Sequence, residues 1–225
     1  MLGDVIAAYN SAVYDTDRAK ALEVVSGALA QGATPEEIIF DVVIPGLDIM
    51  VKALDEGYDA NLAQHFMTAQ IAADVTDRML PLFKSPPKIA GRVIIGTAAG
   101  DLHTLGKRIV MGCLKAHMIE VSDLGVNVPA ERFVEEALAK QAEVIGISAM
   151  MVHTARGENG AMKVAKILEE NGLRSRIKLV VGGAPFRYDP DLYRIVGADA
   201  TAANGVSAAR TILECIREVK HDDEP

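Results

Sequence analysis

The sequence contains no tryptophan and only 4% aromatic residues, so side chains that could stack on nucleic-acid bases are scarce. Its two cysteines, Cys113 and Cys215, lie 102 positions apart and form no CxxC pair. They imply neither a disulfide framework nor a cysteine-rich zinc site. No apolar run reaches the length of a membrane span, because a proline and two aspartates interrupt the most hydrophobic stretch, residues 38–54.

Basic charge is also in short supply. The net charge is −8, and residues 1–88 contribute −7 of it with 6 Lys or Arg against 13 Asp or Glu. Such an acidic chain is a poor partner for a phosphate backbone, so we expect no nucleic-acid partner. The first ten residues lack the basic segment of a secretory signal peptide. We therefore expect a cytoplasmic protein with no membrane partner.

Residues 1–83 have the pattern of a small bundle of four or five helices. Helix starts are indicated by capping residues, and helix ends or kinks by glycine and proline. The first expected helix is capped by Asp15 or Thr16 and ends near Ala30, before Gly32. The next starts at Thr34-Pro35-Glu36-Glu37, is kinked or divided at Pro45-Gly46, and ends at Gly57. A last helix runs from about Asn61 to Leu80.

Beyond residue 83 the pattern changes. Two adjacent prolines exclude a helix across residues 84–91, which we interpret as a linker. Residues 92–220 then alternate short β-rich runs with amphipathic helices. The strands are expected at Arg92–Gly96, Ile119–Leu124, Glu143–Ile147, Lys178–Val181 and Ala198–Thr201, and the helices at Leu105–Ala116, Ala130–Lys140, Gly160–Asn171, Pro190–Val196 and Val206–Val219. This alternation predicts an α/β fold with a doubly wound, five-stranded parallel sheet of flavodoxin-like strand order.

In such a sheet, ligands bind at the carboxyl ends of the strands. Asp101 and His103 follow the first strand and lie two positions apart. In an extended loop both side chains would lie on one side, so the carboxylate could bond one ring nitrogen and leave the other for a metal. The alternative is that Asp101 caps the following helix and His103 is an ordinary loop residue.

Three short motifs follow successive strands in order. A DxHxxG pattern is formed by Asp101, His103 and Gly106, an SxL-like pattern by Ser148 and Met150, and a GG pattern by Gly182-Gly183. With these motifs the chain resembles, over roughly residues 90–215, the cobalamin-binding domain of corrinoid proteins. Residues 1–83 resemble the helical cap that precedes this domain in methyl-carrying corrinoid proteins, including methionine synthase and the small corrinoid subunits of methylamine, methanol and aryl-ether demethylation systems.

The resemblance implies a cofactor and a set of residues that bind it. The cofactor would be cobalamin, as methylcobalamin or a related corrinoid, with its benzimidazole tail pulled off the cobalt. His103 would be the lower axial ligand of cobalt, and Asp101 and Thr154 would form a hydrogen-bond relay behind it. No residue is assigned a catalytic role. The implied cofactor-binding residues are Asp101, Leu102, His103, Thr104, Leu105, Gly106, Ser148, Met150, Thr154, Gly182, Gly183 and Ala184.

The resemblance also implies a function. The chain would carry a methyl group between methyltransferases while its cobalt cycles between cobalt(I) and methyl-cobalt(III). It would be a non-catalytic or co-catalytic subunit whose partners are methyltransferase subunits and a reductive activase; a homo-oligomer is also open. The alternatives are a cobalamin-dependent sensor and a cobalamin storage or delivery protein.

Four further residues have open roles. His65 is expected either on the surface of the bundle or as an upper ligand of cobalt. His153 would either bond the nucleotide arm of the cofactor or only fill space. Lys107 and Arg108 would reach side groups of the corrin or lie on a solvated helix face.

Overall fold

The computed structural model describes residues 2–55, 61–157 and 159–222. Packing divides the chain into two compact units. A helical unit comprises residues up to 88 together with 108–118, and an α/β unit comprises residues 89–107 together with those from 119 onward. Residues 108–118, which follow the first strand, therefore pack with the helical unit. The division of the chain into residues 1–83, 84–91 and 92–220 stays a prediction.

The helical unit is built mainly from helices of 12–18 residues. They are α1 (Leu2–Tyr14), α2 (Arg18–Ala30), α3 (Pro35–Glu37), a π-helical segment (Ile38–Val43), α4 (Ile44–Asp55), α5 (Leu62–Met79) and a 3-10 turn (Leu80–Leu82).

Capping side chains set three of these helix starts. At the start of α5, Asn61 and Gln64 form a reciprocal capping box. Thr34 and Glu37 form a reciprocal capping box, which confirms the start predicted there. Helix α2 is capped by Asp17, whose carboxylate accepts a bond of 2.9 Å from the Lys20 N–H. The expectation that Asp15 or Thr16 caps this helix is wrong. Thr16 adopts a left-handed φ of 57° after the end of α1, so the chain reverses there and Asp17 is the first residue able to cap α2.

At Pro45-Gly46, where a kink or a division of the helix is expected, the helix is continuous and a π-helical segment precedes the proline. Ile44 N–H donates to the carbonyl of Ile39, five residues earlier. Proline has no N–H, so the usual i to i−4 bond cannot be made at Pro45, and a local π-bulge is one known response of a helix. The helix then continues as α4. The end predicted at Gly57 lies outside the described residues.

The core of the helical unit is closely packed. Tyr9, Ile38, Leu47 and Ile71 are fully buried, and burial raises the pKa of the Tyr9 hydroxyl. A Cβ on Gly46 would come within 3.2 Å of the Tyr9 ring, so the absence of a side chain there lets the two helices approach.

Residues 108–118 are held within this unit by three kinds of contact. A Cβ on Gly112 would overlap the backbone carbonyl of Ala69 in α5. The Arg108 guanidinium lies 5.4 Å from the centre of the Phe66 ring. Lys115 of this segment forms an exposed ion pair with Asp77 of α5. The backbone approach at Gly112 leaves no room for any larger residue.

The α/β unit contains one parallel sheet with the strand order β2-β1-β3-β4-β5, which confirms the predicted flavodoxin-like topology. Its strands are β1 (Gly91–Thr97), β2 (Ile119–Asp123), β3 (Val144–Ser148), β4 (Lys178–Gly182) and β5 (Ala200–Thr201). Helix α6 (Leu105–Ala116) begins in this unit, but its residues from 108 onward belong to the helical unit. The other helices are α7 (Ala130–Lys140), α8 (Val152–Arg156), α9 (Ala161–Glu170), α10 (Ala184–Tyr188), α11 (Leu192–Ile195) and α12 (Gly205–Asp222).

The two faces of the sheet are covered by different helices. Ile94, Ile145 and Leu179 point into a core shared with α7 and α9. Residues of the opposite parity point to the other face, where a Cβ on Gly91 would lie within 2.7 Å of Ile216 in α12. Burial on both faces explains why these strands are continuous apolar runs. No helix among the residues described is long and apolar enough to cross a membrane.

Candidate functional site

Three strands end at the same level of the sheet. Thr97 at the end of β1 is paired in register with Ser148 at the end of β3, and Ser148 is paired with Gly182 at the end of β4. The backbone bond from Ala98 N–H to the Ser148 carbonyl, at 3.0 Å, extends this row by one residue. The three motifs identified in the sequence therefore leave the sheet side by side.

Asp101 is the centre of this edge. Its side chain is completely buried and accepts four hydrogen bonds. One oxygen, Oδ1, accepts from the backbone N–H and the ring Nδ1 of His103, at 3.0 and 2.7 Å. The other, Oδ2, accepts from the backbone N–H of Met150 at 2.6 Å and the hydroxyl of Thr154 at 3.2 Å. The carboxylate thus joins the ends of β1 and β3.

These bonds decide the charge of the carboxylate. Burial by itself would raise the pKa of Asp101, because it disfavours the charged form. The backbone N–H groups of His103 and Met150, the His103 ring and the Thr154 hydroxyl oppose this effect and hold the pKa below its usual value. Asp101 is therefore ionised at neutral pH and acts only as an acceptor.

The state of the His103 ring follows from its partner. Because an ionised carboxylate only accepts, Nδ1 carries the proton, and in the neutral ring the lone pair is on Nε2. The side chain is 57% exposed, whereas that of Asp101 is not exposed at all. A neutral imidazole fixed at one nitrogen by a carboxylate is the usual arrangement of a metal-binding histidine. The site therefore offers Nε2 of His103 as a donor to a metal.

The segment that carries these residues is a loop. Helix α6 begins at Leu105, and the Asp101 carboxylate turns to His103 and Met150. Of the two alternatives that the sequence left open, the structure shows the first, in which the Asp101 carboxylate bonds one ring nitrogen of His103. The hydroxyl of Thr97 fixes this loop further, because it donates to the backbone carbonyl of His103 at 3.0 Å.

Thr154 is a buried polar residue at this edge, in the short helix α8 that the sequence analysis did not predict. Its hydroxyl lies 3.2 Å from Asp101 Oδ2 and 2.9 Å from the carbonyl of Met151. A hydroxyl has one proton, so these two acceptors share it. The relay Thr154–Asp101–His103 expected from the resemblance is thus continuous in the structure.

The glycines of the site differ in what they do. Gly183 has φ 123° and ψ 177°, a conformation open essentially to glycine alone. A Cβ there would also overlap the carbonyl of Ala149, so the fold itself requires this glycine. A Cβ on Gly182 or Gly106 would meet nothing within 4 Å. Unlike Gly183, these two glycines leave open space.

Apolar side chains are exposed at this edge of the α/β unit. Leu102 is 71% exposed, and Leu105, Met150 and Val152 are each at least 42% exposed. Thr104 is exposed, whereas Ser148 and Ala184 are half-buried. A cluster of exposed apolar residues around one imidazole fits a large, partly apolar ligand better than a bare ion. These residues fit a corrinoid, with His103 as the only side chain of the set suited to bind its metal.

Two expectations about individual residues were wrong. His65 is 4% exposed, so it does not lie on the surface of the bundle; it sits on the inner face of α5 among buried Thr68, Ala69 and Ala72. Lys107 is 3% exposed and forms an ion pair with Asp123, so it neither lies on a solvated face nor reaches outward.

His153 is exposed, and its role stays open. Asn127, which the sequence analysis did not single out, contacts the His103 loop directly. Its only signal in the sequence is its place in a loop that follows a strand, Asp123-Leu-Gly-Val-Asn-Val-Pro129.

Two family models, both described as a B12 binding domain, match the chain over residues 91–213 and residues 5–71. The chain is 33% identical over 217 residues to trimethylamine corrinoid protein 1 of Methanosarcina acetivorans, covering 93% of this chain and 97% of that protein. It is 35% identical over 207 residues to dimethylamine corrinoid protein 3 of the same organism, covering 91% and 93%. The chain therefore belongs to the B12-binding corrinoid proteins of methyltransferase systems, and its cofactor is cobalamin or a related corrinoid.

Two solved structures share the fold. A cobalamin-binding protein from Desulfitobacterium hafniense DCB-2 superposes with a TM-score of 0.75 at 24% identity, over 93% of this chain and 98% of that one. The methanol:cobalamin methyltransferase complex MtaBC from Methanosarcina barkeri superposes with a TM-score of 0.72 at 22% identity, over 99% of this chain and 85% of that one. At these identities the likeness concerns the fold alone.

Proposed function

We propose that this protein carries a methyl group between methyltransferases, with His103 as the lower ligand of cobalt. When bound, the corrinoid would supply the methyl-transfer chemistry by cycling between cobalt(I) and methyl-cobalt(III), with His103 holding the cobalt and Asp101 holding His103. The observation that carries the proposal is the bond of 2.7 Å between Asp101 and His103 Nδ1, because it leaves Nε2 as the coordinating atom. The methylamine corrinoid proteins that the chain resembles support the same function.

Each part of the site has a role in this proposal. Asp101 holds His103 in the tautomer with its lone pair on Nε2 and stabilises any positive charge that develops on the ring. Thr154 supplies the second donor to Oδ2 of the carboxylate, beside Met150 N–H, and so lowers its basicity. The strand ends at Ser148 and Gly182 would receive the nucleotide tail of the cofactor, since Gly182 leaves open space there. Leu102, Thr104, Leu105, Gly106, Met150, Gly183 and Ala184 complete the proposed binding surface.

The proposed partners are methyltransferase subunits and a reductive activase that restores cobalt(I). The solved structure of a methyltransferase complex among the structural neighbours supports the first of these. A cytoplasmic location and assembly into a homo-oligomer are further parts of the proposal. A cobalamin-dependent sensor and a storage or delivery protein are the alternatives that an experiment must separate from a carrier.

Transfer of labelled methyl separates these functions. The protein would be loaded with methylcobalamin labelled in both the methyl group and the cobalt, and then mixed with cell extract that contains methyltransferases. A carrier loses methyl while its cobalt stays bound. Departure of cobalt together with methyl would instead identify a delivery protein, and retention of both with a light-dependent change in assembly would identify a sensor.

The ligand of cobalt is tested by electron paramagnetic resonance of the cobalt(II) form. We expect nitrogen hyperfine splitting from an imidazole, and His103→Ala should abolish it while cobalamin remains bound. His153→Ala is the matched control, because this second exposed histidine lies in α8, after the neighbouring strand β3. Splitting that persisted in His103→Ala would contradict the assignment.

A further inference from the structure

One loop holds both ends of the segment that carries His103. At the start of the segment, Asn127 Oδ1 accepts a bond of 2.7 Å from Gly100 N–H, and Asn127 N–H donates to the carbonyl of Asp101 at 3.0 Å. At its end, Lys107 Nζ donates to the carbonyl of Gly125 at 2.7 Å and pairs with the Asp123 carboxylate. We propose that Asn127 and Lys107 are positioning residues that set the place and orientation of the His103 ring.

The loop is able to position a neighbour because it is itself anchored. The carbonyl of Gly125 accepts from Thr97 N–H, and Val128 N–H donates to the carbonyl of Thr97, each at 3.0 Å. An isolated parallel bridge between Ala98 and Val128 continues this pairing. The loop is therefore tied to the end of β1, the strand that leads directly into the His103 segment. A displacement of the loop would move that segment relative to the sheet.

The two residue types suit this task. Asn127 adopts a left-handed φ of 53°, which asparagine tolerates better than most residues. Its side-chain oxygen accepts the hydrogen bond from Gly100 N–H. Lys107 is almost fully buried, and a buried ammonium is costly unless it is paired and hydrogen-bonded. Its partners are Asp123, the last residue of β2, and the Gly125 carbonyl in the loop that follows, so its charge is satisfied only while the loop keeps its place.

A positioning role makes a prediction that a purely stabilising role does not. Loss of the Asn127 side chain should change how often Asp101 holds the His103 ring, and not only how stable the unit is. The inference depends on the proposed role of His103 as a ligand of cobalt. Its first test is therefore made on protein without cofactor, where the ring tautomer is measured directly.

The first test uses two variants of Asn127. Asn127→Gly keeps the left-handed backbone accessible and removes the acceptor, whereas Asn127→Asp keeps an oxygen acceptor on Gly100 N–H. Nitrogen chemical shifts of the His103 ring, measured at one fixed pH, give the ratio of the two tautomers. We expect Asn127→Gly to lower the ratio of the Nδ1–H form to the Nε2–H form roughly fivefold, the effect of one ordinary hydrogen bond, and Asn127→Asp to retain most of that ratio.

The matched control is Asn171→Gly. It also removes an asparagine bond to a backbone group, at 2.8 Å, but at the end of α9. The tautomer ratio of this control should equal that of the unmodified protein. An unchanged ratio in Asn127→Gly, or an equal change in Asn171→Gly, would overturn the positioning role.

Lys107 provides an independent variant in case Asn127→Gly does not fold. Lys107→Met keeps the apolar stem and removes both loop contacts, and Lys107→Gln restores a donor for the carbonyl of Gly125. The fraction of His103-bound cobalt(II), measured by nitrogen hyperfine splitting, should fall severalfold in Lys107→Met and recover in part in Lys107→Gln. Equal fractions in the two variants and the unmodified protein would refute the role of Lys107.

The failure of this inference can be told from failure of the proposed function. An unmodified protein that bound no cobalamin, or whose cobalt(II) spectrum lacked nitrogen splitting, would overturn the proposed function. The tautomer ratio in Asn127→Gly would still decide whether the loop positions the His103 ring.

Discussion

Replacing Asp101 with asparagine changes one atom of a buried group that accepts four hydrogen bonds. The amide keeps one oxygen and presents an NH2 group in place of the other. If the NH2 replaces Oδ1, it faces the backbone N–H of His103, and the ring must move its proton to Nε2. If it replaces Oδ2, it faces Met150 N–H, while the Thr154 hydroxyl can turn to the carbonyl of Met151. The second orientation has fewer conflicts, and we expect it to dominate.

The expected cost follows from the bonds that remain. Bonds to a charged group contribute about 1.5–3 kcal/mol, against about 0.5–1.5 kcal/mol for neutral ones, and a buried donor left without an acceptor costs about 1–3 kcal/mol. We therefore expect Asp101→Asn to lower the free energy of unfolding by about 2–4 kcal/mol. Asp191→Asn is the control, because its carboxylate pairs with Arg194 on the surface and is 75% exposed. It should cost less than about 1 kcal/mol.

The assay must report on the α/β unit alone, since two compact units need not unfold together. Amide exchange of β1, β3 and β4 in cofactor-free protein gives the free energy of opening of this sheet. If Asp101→Asn opened with the same free energy as the unmodified protein, the carboxylate would not hold the strand ends as described, and the account of the site would be refuted.

Three further predictions concern pH and glycine. Burial raises the pKa of Asp101, but its hydrogen bonds hold the pKa below its usual value. The carboxylate therefore contributes stability above its unfolded-state pKa and loses it as the pH falls through the lower folded-state pKa. The free energy of unfolding should fall more steeply on acidification in the unmodified protein than in Asp101→Asn, and equal slopes would contradict this. Gly183→Ala should lower the free energy of sheet opening by more than about 3 kcal/mol, because at φ 123° the added Cβ would overlap a backbone carbonyl. Gly172→Ala, at φ 65° in open space, should lower it by only about 1–2 kcal/mol. Gly112→Ala should destabilise the helical unit by about 1–3 kcal/mol. Gly27→Ala, inside α2 with nothing within 4 Å of the added Cβ, should stabilise the unit by about 0.5–1 kcal/mol. Chemical denaturation followed by circular dichroism measures both, and equal effects would refute the packing at Gly112.

The strand pattern was predictable because it is local. Strands buried on both faces are continuous apolar runs, and the helices between them are amphipathic, so the alternation and the sheet order could be inferred from the sequence. Asp101 and His103 could be paired for the same reason, since residues two apart share one side of an extended segment. The short helices α8 and α10 were missed because five residues are too few to show a helical period.

The residues that hold the site from a distance were not predictable. The burial of Lys107 depends on Asp123, sixteen residues away, and the two meet only because β1 and β2 pair in a particular register. Asn127 reaches Gly100 across 27 residues for the same reason. Charged and amide side chains at such separations carry no periodicity, and an exposed position is the ordinary expectation for lysine. The left-handed Thr16 that shifted the start of α2 is likewise invisible to capping rules.

The placement of residues 108–118 bears on how such a chain could be divided. The backbone passes between the two units three times, near residues 88, 107 and 118. A chain divided only at the double proline would pass between them a single time. A gene fragment that ended at the linker would encode a bundle lacking one of its packing segments, and the complementary fragment would display the bare surface of Gly112, shaped to fit Ala69. Neither fragment is a self-contained module. The two parts of the sequence are therefore expected to be inherited, exchanged and engineered together.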